Sequence, residues 1–114
     1  MVELTSENWD SVVGDSPLVM VDFWAPWCGP CKSFRPIFDQ MSQRHRDIVF
    51  GTVNIDEQKD LAARFGVQAI PTLKFISDQT VRGSRTGAMP APELDLLIRK
   101  FREVAASPLV PRRS

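Results

Sequence analysis

Cysteine is scarce in this chain: two occur among 114 residues, Cys28 and Cys31, beside a single histidine, His45. A structural zinc site takes about four ligands, so one copy of the chain cannot build one from cysteine and histidine alone. An excess of charge of one sign is missing too. Fourteen basic residues offset fourteen acidic ones, with no run of like charge, which removes the footprint of a protein that grips nucleic acid or an anionic membrane. Long hydrophobic runs are also lacking. "PLVMVDFWAPW" and "IVFGTV" are short and interrupted, below the roughly 20 apolar residues that a membrane-spanning helix needs. "MVELTSENWD" has no basic stretch leading into an apolar one, so no secretory signal is read there and a cytoplasmic location is expected. With no repeat and no low-complexity segment, one domain is expected over residues 1–106. In the remaining "SPLVPRRS" (107–114), "LVPR" resembles a protease-cleavage linker, and this tail is expected to stand outside the fold.

What is present has clear periodicity. "LVMVDFW" (18–24) is apolar almost throughout and rich in branched and aromatic residues, as in a strand buried on both faces, with Asp22 the one intruding charge. From Cys28 onward the period changes: Phe34, Ile37, Phe38 and Met41 mark one face of a helix, with Pro36 predicting a kink within it. Leu94, Leu97, Ile98, Phe101 and Ala105 mark another helix over 91–105. Short helices are predicted over 6–13, capped by Thr5 or Ser6, and over 57–66, stopped by Gly66. "DIVFGTVNI" (47–55) predicts a strand. "TLKFI" and "TVRGSRT" predict a hairpin around "SDQ", its outer strand protected by Arg82 and Arg85. A short strand at Val2–Leu4 can precede these. The order α, β, α, β, α, β, β, α implies a mixed sheet with helices on both faces.

"WCGPCK" carries the chemistry. As a staple, Cys28 and Cys31 would close so small a loop that little entropy is removed from the unfolded chain. His45, placed four residues beyond Met41, reads as the wet end of the helix rather than a third metal ligand. A redox pair fits best. Cys28 falls at the predicted helix start, where unpaired N–H groups and the helix dipole stabilise an anion, and the thiolate is the nucleophile of disulfide exchange. Pro30 suits a first helical turn, and Cys31 lies on the same face but deeper.

"FWAPWCGPCK", followed by "NID" and "IPT", resembles the thioredoxin family over residues 3–105. The resemblance implies an α/β three-layer sandwich with a mixed central sheet, and a dithiol–disulfide oxidoreductase that reduces protein disulfides. It implies Cys28 as nucleophile, Cys31 as resolving thiol and Asp22 as the buried proton acceptor and donor. It also implies a cis bond before Pro71, a backbone at Ile70 offered to an extended substrate segment, and a groove from Trp27, Gly29, Pro30, Ile55, Ala69, Ile70, Pro71, Gly87 and Ala88. No cofactor or metal is expected on the chain. The family works as a monomer whose disulfide is re-reduced by a thioredoxin reductase drawing on NADPH.

Two departures accompany the resemblance. Thr52 stands in "GTVNID" where the family often carries a lysine near the buried aspartate, so Asp22 is expected to hold its proton well above the usual carboxylate range. Gln79 occupies the hairpin turn where a glycine is usual.

Overall fold

Residues 1–106 are described by the structure, a computed structural model; the expected linker at 107–114 lies outside the described residues. In chain order the elements are β1 (Val2–Glu3), α1 (Trp9–Gly14), β2 (Leu18–Trp24), α2 (Gly29–Arg44), β3 (Val49–Asn54), α3 (Lys59–Arg64), β4 (Thr72–Ser77), β5 (Thr80–Thr86) and α4 (Ala91–Ala106). The strands form one sheet in the order β1-β3-β2-β4-β5. β3 runs parallel to β1 and β2, β4 pairs antiparallel with β2, and β5 pairs antiparallel with β4. This is the mixed sheet expected from helix-linked strands followed by a hairpin.

Alternation along β2 explains its unbroken apolar run. Val19, Val21 and Phe23 point to one face, where they pack with Trp9 and Val13 of α1 and Leu61 of α3. Met20 points to the other, against Phe34, Phe38 and Met41 of α2 and Leu94, Ile98 and Phe101 of α4. Each such side chain contributes on the order of 2 kcal/mol by leaving water. β2 lies at the centre of a three-layer sandwich, and Asp22 takes the same face as Met20, under α2.

The short helices begin later than the sequence suggests. Thr5 and Asn8 bond reciprocally: the Asn8 N–H donates to Thr5 Oγ1 at 3.2 Å and the Thr5 N–H donates to Asn8 Oδ1 at 2.8 Å. The Trp9 N–H also donates to the Thr5 carbonyl at 2.9 Å, so Thr5 caps a turn over 6–8 that leads into α1, whose own N-cap position, Asn8, makes no side-chain capping bond. Before α3, Asn54 accepts the N–H groups of Glu57 and Gln58 on its carbonyl and that of Asp56 on Oδ1, so 55–58 form a turn. β3 likewise starts at Val49, after a turn in which the Ile48 N–H donates to the His45 carbonyl at 3.1 Å and Asp47 pairs with Arg102.

The hairpin turn is Asp78–Gln79, with φ of 50° and 65°. Both residues are left-handed, as a two-residue turn between twisted strands requires, and neither is the glycine for which that region is least costly.

His45 is not the wet end of a helix. It is half-buried, receives Arg102 Nη2 on Nδ1 at 3.0 Å, and meets Asp95 Oδ1 through Nε2 at 2.8 Å. Arginine can only donate, so Nδ1 accepts and Nε2–H donates a hydrogen bond to the Asp95 carboxylate. These bonds join the end of α2 to α4, and the His45 contact holds the Asp95 carboxyl below the usual range.

Candidate functional site: the Cys28–Cys31 centre

β2 ends at Trp24 and the chain turns over residues 25–28, where the Cys28 N–H donates to the Ala25 carbonyl at 3.1 Å. Cys28 is extended (φ −92°, ψ 112°) and serves as the N-cap of α2. Gly29 and Pro30 form the first, exposed turn, and proline is tolerated there because its position needs no N–H. Pro36 falls inside the helix, which runs on through it. Cys28 Sγ does what a serine oxygen does at other caps: it accepts the Cys31 N–H, at 3.2 Å.

Cys28 and Cys31 are joined as a disulfide, with Cα atoms 5.3 Å apart. Cys28 is 5% exposed and Cys31 1%, so Cys31 is the deeper of the two, as its spacing predicts. Ala25 and both cysteines form a small apolar cluster on which Trp24, Ile55 and Ile70 pack. The Ile70–Pro71 bond is cis. The Ile70 carbonyl faces Cys28 Sγ at 3.9 Å. A bond of 2.8 Å from the Gly87 N–H to the Pro71 carbonyl brings Gly87, and with it exposed Ala88, beside that segment. Exposed Ala69 precedes Ile70, its carbonyl accepting the Thr72 hydroxyl. The structure thus brings Ile55 and Ile70 onto the cysteines from two different connections, with Pro71 and Gly87 bonded to each other next to Ile70.

Trp27 is 68% exposed, the largest apolar surface beside the disulfide. Its Nε1–H donates to the Asp56 carboxylate at 3.0 and 3.3 Å. Asp56 did not stand out as a site residue in the sequence, although it ends the quoted "NID".

Asp22 is fully buried, and neither carboxylate oxygen has a hydrogen-bond partner among the described residues. Its register neighbours are Thr52 on β3 and Leu73 on β4. Thr52 therefore stands where expected but makes no hydrogen bond to it. Burial pushes the Asp22 carboxyl up to about 7, and the Arg35 guanidinium pulls part of the way back. Arg35 is the second residue that the sequence reading passed over. It lies four residues after Cys31, with its guanidinium carbon 4.4 Å from the Trp24 ring centroid, a stacking worth roughly 0.5–2 kcal/mol.

His45 stands at the far end of α2, about 24 Å from the disulfide at 1.5 Å per residue. Among the described residues no group of three or more His, Cys, Asp or Glu side chains could hold a metal ion.

Comparison with known proteins agrees with this geometry. A family model described as Thioredoxin matches residues 1–100. Putative thioredoxin 2 of Streptomyces coelicolor is 42% identical over 103 residues, covering 90% of this chain and 77% of its own length. The thioredoxin of Haemophilus influenzae is 35% identical over 96 residues, covering 82% of this chain and 90% of its own. The chain spans 58% of the length of a chloroplastic M-type thioredoxin of Pisum sativum, to which it is 35% identical. A solved structure of Plasmodium falciparum thioredoxin is similar at a TM-score of 0.83 and 30% identity, over 89% of this chain and 99% of that one.

Proposed function

Because the chain belongs to the thioredoxin family and is a thiol–disulfide oxidoreductase working through Cys28 and Cys31, we propose the division of labour within its site. One feature carries it: Cys28 is the extended cap of α2, with the Cys31 N–H aimed at its sulfur. That N–H and the helix dipole stabilise a Cys28 thiolate once the pair is reduced.

The thiolate attacks one sulfur of a substrate disulfide. A Cys28–substrate disulfide forms and the first substrate thiolate leaves. The Cys31 thiol then loses its proton to the Asp22 carboxylate and attacks Cys28 Sγ. The mixed disulfide breaks, the second substrate thiolate leaves, and two electrons have passed to the substrate. Trp27, Gly29, Pro30, Ile55, Ala69, Ile70, Pro71, Gly87 and Ala88 form the docking groove. Within it an extended substrate segment pairs with the Ile70 backbone in the manner of an added strand. The oxidised chain is re-reduced by a thioredoxin reductase drawing on NADPH, and it acts as a monomer in the cytoplasm, in electron transport and redox homeostasis.

A coupled assay tests this reading. NADPH consumption with insulin as disulfide substrate should require a thioredoxin reductase and this chain together. A chain that the reductase leaves oxidised, yet which oxidises reduced peptides, would be an exported thiol oxidase or isomerase instead.

A further inference from the structure

We propose that Arg35 is a positioning residue of this centre: held against Trp24, its guanidinium supplies the countercharge that lets the buried Asp22 carboxylate take the Cys31 proton at neutral pH. The inference rests on the role given to Asp22 above and adds the group that makes that role workable in this chain.

The geometry starts from spacing. Cys31 and Arg35 are four residues apart in α2 and so share a face of the helix. Asp22 and Trp24 are two apart in β2 and so share a face of the sheet, the one α2 covers. The contact of Arg35 with Trp24 joins the two rows, one strand step from Asp22. Arg35 Nε is buried without a hydrogen-bond partner, and no carboxylate comes within 4.0 Å of the guanidinium among the described residues. The cation is therefore placed by stacking and is not neutralised by a contact ion pair. Asp22 is the complementary case, a buried carboxylate with no hydrogen-bond partner among the described residues.

Among the described residues, no other element packed against Asp22 offers it a countercharge. β2 and β3 contain no other ionisable side chain. Lys74 of β4 is the register partner of Val21, on the opposite face. On α2 the titratable groups on this face are the two cysteines, Arg35 and, one turn further on, half-buried Asp39, which accepts a hydrogen bond from Gln43, while Lys32 is exposed. On α4 the inward residues are Leu94, Ile98 and Phe101. There Asp95 is paired with His45 and Arg99, Glu93 with Arg85, and Arg102 with Asp47, while Lys100 and Glu103 are exposed.

A cation favours the charged form of a nearby acid, in the direction found for Asp22. In Arg35→Met the Asp22 midpoint, followed by carboxyl NMR on the oxidised chain, should rise by about half a unit or more. In single turnovers, release of the mixed disulfide should slow about threefold at pH 6, where the carboxylate fraction limits, and change little at pH 9. Arg35→Lys should restore most of both effects, and Thr52→Lys placed in the Arg35→Met background should lower the midpoint again from the other side. An unmoved midpoint in Arg35→Met, or equal slowing at every pH, would overturn the role of Arg35 while leaving that of Asp22 intact. Release unaffected by Asp22→Asn would overturn both.

Discussion

Cys31→Ser should leave the chain covalently joined to its substrate. Cys28 would still attack, because its cap position and the N–H of residue 31 remain, but the internal thiol that breaks the mixed disulfide would be gone. Well-oriented intramolecular groups act at effective concentrations far above any external thiol, so turnover should fall by about 100-fold or more. Cys28→Ser should lose turnover equally and form no adduct, since the buried Cys31 cannot meet a bulky disulfide first. Non-reducing electrophoresis with insulin, followed by mass spectrometry of the trapped species, separates the two cases. The same trap, applied to a cell extract, identifies the protein substrates.

Asp22→Asn should stabilise the oxidised chain far more at pH 8 than at pH 4. Cys28 and Cys31 are then disulfide-bonded and hold no titrating thiol. Burial raises the Asp22 carboxyl from 3.8 to about 7 in the folded chain, with Arg35 opposing. An acid with a raised folded value costs stability as pH climbs past its unfolded value, and the cost levels off above the folded one. The window is therefore about pH 4 to 7. At roughly 1.4 kcal/mol per unit, the full cost is on the order of 4 kcal/mol. The amide removes that pH-dependent cost, while any penalty for burying it is the same at both pH values. Denaturant midpoints at pH 4 and pH 8 measure the difference. In the same variant, release of the mixed disulfide should slow by roughly a hundredfold or more, the scale of a lost acid–base group. Equal stabilisation at both pH values, with release unchanged, would remove Asp22 from the chemistry.

The parts of this fold that the sequence made legible are those whose pattern has a single physical reading. β2 was readable to the residue because a strand covered on both faces needs an apolar side chain at every position, and Asp22 was conspicuous by breaking that run. α2 and α4 were readable because their stripes recur at helical spacing. The short helices were not, since side-chain bonds from Thr5, Asn8 and Asn54 decide where their first turns begin. Cys28 and Cys31 announced themselves by spacing, whereas most of the groove came from resemblance. Ile55 and Ile70 meet at the disulfide, with Gly87 bonded to Pro71 beside Ile70, because the end of β3 on one side and the start of β4 with the end of β5 on the other flank the end of β2. Arg35 and Asp56 were missed for another reason: an arginine or aspartate in a solvent-facing pattern reads as ordinary surface. Four-residue spacing from Cys31 was the available signal for Arg35, and adjacency to Ile55 was the signal for Asp56. His45 was misread because its partners come from α4, about fifty residues on.

Limited alkylation of the reduced chain with iodoacetamide at neutral pH, followed by peptide mapping over time, separates Cys28, at the cap of α2, as the attacking thiol from Cys31 as the resolving one. Cys28 should be labelled first, because its place at the start of α2 and the Cys31 N–H aimed at its sulfur favour the thiolate, with Cys31 modified only later. Preferential labelling of Cys31 would contradict that assignment.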